Sequence, residues 1–146
     1  MMSPTVSLLR RIAGGAETPA DRAALADRVR LYLSAAADGV SLDQAFGLST
    51  PAGQLPWWRA EALSTRDAAL RALAARFHAG QPLARQAAEI RAALLAYATT
   101  GWRFDRRELS PPSGYVGTPR EMLFDAMKAS EAVPSVQHIR RVLRGR

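Results

Sequence analysis

The chain is punctuated by helix starts and carries almost nothing that suits a strand. Ser3-Pro4, Thr18-Pro19 and Thr118-Pro119 each set a hydroxyl residue that can cap a helix before a proline, whose missing N–H costs nothing in a first turn. Ser41 stands three residues before Gln44 and Ser64 three before Asp67, the spacing of a capping box. Between these starts apolar residues recur at intervals of three and four, and no β-branched run alternates with period two. An all-α chain follows: a compact bundle of six to eight helices with a helical hairpin at its C-terminal end.

Taken in order, the first helix runs from Pro4 to about Ala13 with Val6, Leu9 and Ile12 inward, and Gly14-Gly15 ends it. The second starts at Thr18-Pro19, with Asp21 at its third position, and reaches about Ala37; its stripe of Leu25, Val29, Tyr32, Leu33 and Ala36 reads as core. A short third helix, Leu42 to Phe46, is closed by Gly47. Trp57 and Trp58 diverge by about 100° on a helix, so one is expected inside and the other partly exposed. The exposed ring, beside Arg59, either stacks on a base or partner or seals the core edge. Thr65 to Phe77 carries Ala69, Leu70, Leu73, Ala74 and Phe77 on one face. Pro82 to about Thr99 carries Leu83, Ala87, Ile90, Leu94 and Ala98. The short turn at His78-Ala79-Gly80 makes these two an antiparallel pair at the centre of the fold. Trp102 and Phe104 anchor the chain where it leaves that pair, or stack on nucleic acid among their arginines. The run Ser110-Pro111-Pro112-Ser113-Gly114 reads as a linker. It divides a helical core, residues 1–109, from a hairpin packed on that core, residues 118–146, through a linker at 110–117.

In that hairpin Thr118 caps, Pro119 starts and Glu121 closes the box of a helix whose stripe is Met122, Leu123, Ala126 and Met127. Val133-Pro134 breaks it, because proline pushes the residue before it out of helical geometry, and Ser135 caps the next. There Val136, Ile139, Val142 and Leu143 share one side, leaving Gln137, Arg140, Arg141 and Arg144 on the other. The segment from Thr118 to Arg146 resembles a helix-turn-helix, and the resemblance implies that its second helix enters the DNA major groove. It also implies roles. Arg140, Arg141 and Arg144 would meet phosphates or guanine edges; Ser135, Gln137 and His138 would lie at the entering end; Arg103, Arg106 and Arg107 would meet the flanking backbone. Ser41 to Arg59 resembles such a unit less closely, because Thr50 to Leu55 intervenes before a second helix. The opposing reading of the terminal arginines is that cations suit a helix C-terminus. It accounts well for Arg144 and Arg146 and less well for Gln137 and Arg140, which are expected in the helix's first half, where the dipole disfavours positive charge.

The net charge of +7 is regional: residues 1–63 are neutral, 64–101 carry +3 and 102–146 carry +4, as expected if one side meets a polyanion. Cysteine is absent, excluding disulfides and thiolate chemistry. His78 and His138 lack companions at metal-ligand or acid–base spacing, and neither a Gly-rich phosphate loop nor a nucleophile elbow occurs. No catalysis, metal or cofactor is therefore expected. The amino-terminal apolar run is too short for a signal peptide, and Ala87 to Ala98, interrupted by Glu89 and Arg91, is too short to span a bilayer; a cytoplasmic protein without a membrane partner is expected. The expected function is non-catalytic DNA binding, in general likeness to bacterial or prophage regulators and to small DNA-packaging subunits of phage terminases. Homo-oligomerisation is expected with it, since one small helix gives little affinity. The alternative is a helical adaptor or structural protein that binds another protein through Trp57 or Trp58.

Overall fold

Eight α-helices and no strand occupy the residues described by the computed structural model, 3–145. They are α1 (Pro4–Ala13), α2 (Pro19–Ala35), α3 (Leu42–Ala45), α4 (Trp57–Phe77), α5 (Leu83–Thr99), α6 (Trp102–Asp105), α7 (Pro119–Ala129) and α8 (Val136–Leu143). Arg146 lies outside the described residues. The chain is all-α, and it divides into two units between Glu61 and Ala62, within α4. The proline-rich stretch at 110–117 is not that division. It lies inside the second unit, where Ser113–Tyr115 forms a 3-10 turn that packs on α7. Prolines mark where a helix must stop, not where packing stops.

The first unit has few buried apolar side chains: Val6, Leu8 and Ala45, with Thr5 and Asp21. Leu8, not Leu9, is buried beside Val6 on α1. Polar ties compensate. Thr18 and Asp21 form a capping box, Asp21 also takes two hydrogen bonds from Arg11, and the Ser41–Gln44 box starts α3. Gly47, at φ 65°, supplies the left-handed stop. The α2 stripe is not core. Leu33 is 72% exposed, Val29 is exposed, and Asp21 is the helix's one buried residue. Periodicity identifies an apolar face but cannot say whether anything covers it. Trp57 and Trp58 are likewise both exposed, so neither supplies the expected buried ring.

In α4 the helix runs unbroken through Ser64, where a new start was expected. Ala60, Glu61, Ala62 and Leu63 are strong helix formers, and a mid-helix serine costs only about 0.5 kcal/mol, too little to break the ladder. The candidate helix-turn-helix at residues 41–59 consequently has a one-turn α3, a connection over residues 46–56, and then a 21-residue helix.

The second unit is built around α5. Ala87, Ile90, Leu94 and Tyr97 are buried on it, and α8, α7 and α6 pack closely against it, α8 most extensively. The α4 residues Leu70, Leu73 and Ala74 join the same core through their side chains. The hub is thus α5 with the terminal helices, not the expected α4–α5 pair. From α7 and α8 come Met122, Leu123, Phe124, Ala126, Met127, Ile139 and Val142, so the hairpin is part of this core. At the start of α7 the expected capping box does not form. The Thr118 hydroxyl donates to the Tyr115 carbonyl at 2.7 Å, and Glu121 accepts from the Gly117 N–H at 2.8 Å.

Candidate nucleic-acid interface

Helix α8 is short and strongly sided. Ile139 is fully buried and Val142 nearly so, which fixes the opposite face outward. Gln137, Arg141 and Arg144 are exposed there, and at spacings of four and three they fall within a narrow arc of the helix. Arg140 is half-buried, with its Nε enclosed and without a hydrogen-bond partner. Because α8 spans only Val136–Leu143, Arg140 and Arg141 both lie in its last turn. Placing Arg140 in the first half is therefore incorrect, and the macrodipole favours both arginines where they stand. Only Gln137 lies outside that explanation.

Two residues expected at the entering end have structural engagements. Ser135 caps α8, its hydroxyl accepting from the His138 N–H at 3.2 Å. His138 faces α4, where Nη2 of Arg66 approaches its Nε2 at 2.6 Å. Guanidinium can only donate, so a hydrogen bond here has Nε2 as its acceptor. Arg66 is itself buried, at 6% exposure, and donates from Nε and Nη2 to Oδ1 of Asp67 at 3.0 and 2.7 Å. The Arg66–His138 contact spans 72 positions, and no local pattern announces it.

Arg103, Arg106 and Arg107 are exposed on and just after α6. Since α6 packs against α5 and α7, they and the α8 face are carried on different elements around the hub. The Arg103 guanidinium lies 5.7 Å from the Phe104 ring centroid. Trp102 is buried as an anchor, edge-on to Phe124 at 5.8 Å, but Phe104 is 74% exposed and anchors nothing. Asp105, which follows them, accepts from both the Tyr97 and the Tyr115 hydroxyls at 2.8 and 2.9 Å. Burial first, and then the bond to Asp105, pushes the Tyr97 hydroxyl well above its ordinary range.

The two units differ in how their cations are compensated. In the first, which is electrically neutral, Arg10, Arg11, Arg22 and Arg30 each pair with a carboxylate. The whole +7 falls in residues 62–146, where among the described residues only Arg66 and Arg85 form arginine–carboxylate pairs. No described helix is long and apolar enough to cross a membrane, and no group of three or more His, Asp or Glu among the described residues is placed to hold a metal ion. Comparison with family models, with curated proteins and with solved structures finds no match to this chain.

Proposed function

We propose that the second unit binds DNA without catalysing a reaction, in the manner of a regulator or a DNA-packaging subunit. In this reading α8 faces the major groove through Gln137, Arg141 and Arg144, and Arg103, Arg106 and Arg107 meet the flanking backbone. The observation that carries it is the concentration of the entire net charge in one unit, where among the described residues only Arg66 and Arg85 form arginine–carboxylate pairs. Ser135 and His138 support α8 and leave the contact set; Arg140 contributes charge from a half-buried position.

The test is fluorescence anisotropy of the full chain on a labelled random-sequence duplex across a salt series. Five phosphate contacts give a log–log salt slope of about −4.5, hence a loss of several hundred-fold, roughly, between 50 and 200 mM salt. The double substitution Arg141→Ala with Arg144→Ala should flatten the slope by about two while leaving helical circular dichroism unchanged. Absence of binding at low salt, or a slope unmoved by the double substitution, rejects the reading.

A second reading, a helical adaptor that binds another protein, is favoured by the apolar exposure of the first unit. Leu31, Leu42, Leu55 and Trp57 are exposed, as are Leu33 at 72% and Trp58 at 58%. Under that reading binding to a partner persists in high salt and is lost with Leu33→Glu or Trp58→Ala.

A further inference from the structure

Helix α6 is a single turn in which residues two apart point about 200° from each other, so burial of Trp102 throws Phe104 outward. The exposed ring does not stand alone. Arg103 lies over it at 5.7 Å, Arg106 and Arg107 follow in the next turn, and Lys128 of α7 is drawn to the same place by donating from Nζ to the Arg106 carbonyl at 3.0 Å. Of the two acids beside them in sequence, Asp105 accepts from two tyrosine hydroxyls through Oδ2, and Glu108 follows Arg107. No ion pair to Arg103, Arg106, Arg107 or Lys128 occurs among the described residues. An exposed aromatic ring, with Arg103 against it, therefore stands on a short stretch whose arginines form no ion pair among the described residues.

We infer that this patch binds an unpaired stretch of nucleic acid, with Phe104 stacking on a base while the surrounding cations neutralise adjacent phosphates. Every base has a π-face, so stacking needs no particular sequence, but it does need a base freed from its duplex neighbours. A duplex offers the patch phosphates only, and Phe104 gains nothing from it. The inference deepens the DNA reading and rests on it for the polyanion. It is separate from α8, which the same reading places against duplex.

The experiment compares full-length protein with Phe104→Ala and Phe104→Trp, measuring affinity for oligo-dT, which is unstructured, and for a random-sequence duplex of equal length. Phe104→Ala should weaken oligo-dT binding on the order of tenfold, leave duplex binding within about twofold, and be rescued by Phe104→Trp. Phe104 is exposed, so unchanged circular dichroism is expected for both variants. An equal loss on both oligonucleotides, or no loss on oligo-dT, overturns the inference. Wild-type binding to duplex but not to oligo-dT overturns it and leaves the DNA reading standing; binding to neither removes both. Phe104-dependent binding to anionic vesicles without oligo-dT binding would assign the patch to a lipid surface and also overturn it.

Discussion

Removing the anion from the Arg66–Asp67 pair should cost more than removing the cation. The guanidinium side chain is 7% exposed and the Asp67 carboxylate 24% exposed. In Asp67→Ala the guanidinium stays in the interior with His138 Nε2 as its remaining partner. Stranding one member of a fully buried pair costs about 3–5 kcal/mol, and the partial exposure of Asp67 reduces this to about 2. In Arg66→Met the interior gains a flexible apolar side chain of similar length, Asp67 turns to water, and the loss is one hydrogen bond to His138, about 1 kcal/mol, offset by the desolvation no longer required. Asp67→Ala should therefore melt below wild type by about 6 °C, at about 3 °C per kcal/mol for a chain of this size, and Arg66→Met by 3 °C or less, roughly. Thermal and urea unfolding followed by circular dichroism check this. An Arg66→Met variant at least as destabilised as Asp67→Ala would show that the pair stabilises the fold outright and that the desolvation argument is wrong.

Two further predictions concern the scaffold. A methyl group on Gly101 would lie 2.7 Å from Cε2 and 3.0 Å from Cδ2 of Tyr97, whose buried ring is pinned by its hydroxyl to Asp105. Gly101→Ala should thus cost about 1–3 kcal/mol in urea unfolding, and wild-type stability would mean that the ring yields. The Arg11 guanidinium, with the Thr18 N–H, holds the Asp21 carboxyl well below the usual carboxylate range. A depressed folded-state pKa contributes stability that is fully present above the unfolded pKa and drains away as pH falls through about 4 towards the folded value. The stability gap between wild type and Asp21→Asn should accordingly be widest near neutral pH and narrow in acid; a gap that holds from about pH 7 to pH 3 refutes the assignment.

What the sequence revealed and what it hid follow from the range of the interactions. The Thr18–Asp21 and Ser41–Gln44 boxes, the glycine stop at Gly47 and the inward stripe Ala87, Ile90, Leu94 are written within a few residues, and the structure contains them. Capping by Thr118 looked equally local yet is missing, because its hydroxyl donates to the Tyr115 carbonyl instead, and Glu121 accepts from the Gly117 N–H. Burial is not local. The α2 stripe has proper spacing and remains largely uncovered, Phe104 and Trp102 have similar surroundings in sequence and opposite fates, and His138 is engaged by an arginine 72 positions away.

Those long-range engagements bear on specificity under the DNA reading. With Ser135 spent on its cap, His138 on Arg66 and Arg140 half-buried, the outward face of α8 retains Gln137, Arg141 and Arg144. Gln137 offers the paired donor and acceptor that match an adenine edge, whereas the two arginines suit guanine or phosphate equally. One discriminating amide and several phosphate-seeking cations give binding dominated by counterion release, with sequence preference of the order of a single base contact, about 1–3 kcal/mol. Selectivity beyond that has to come from the form of the nucleic acid, which is where an exposed stacking residue such as Phe104 would act, or from joining several copies of α8 on one duplex.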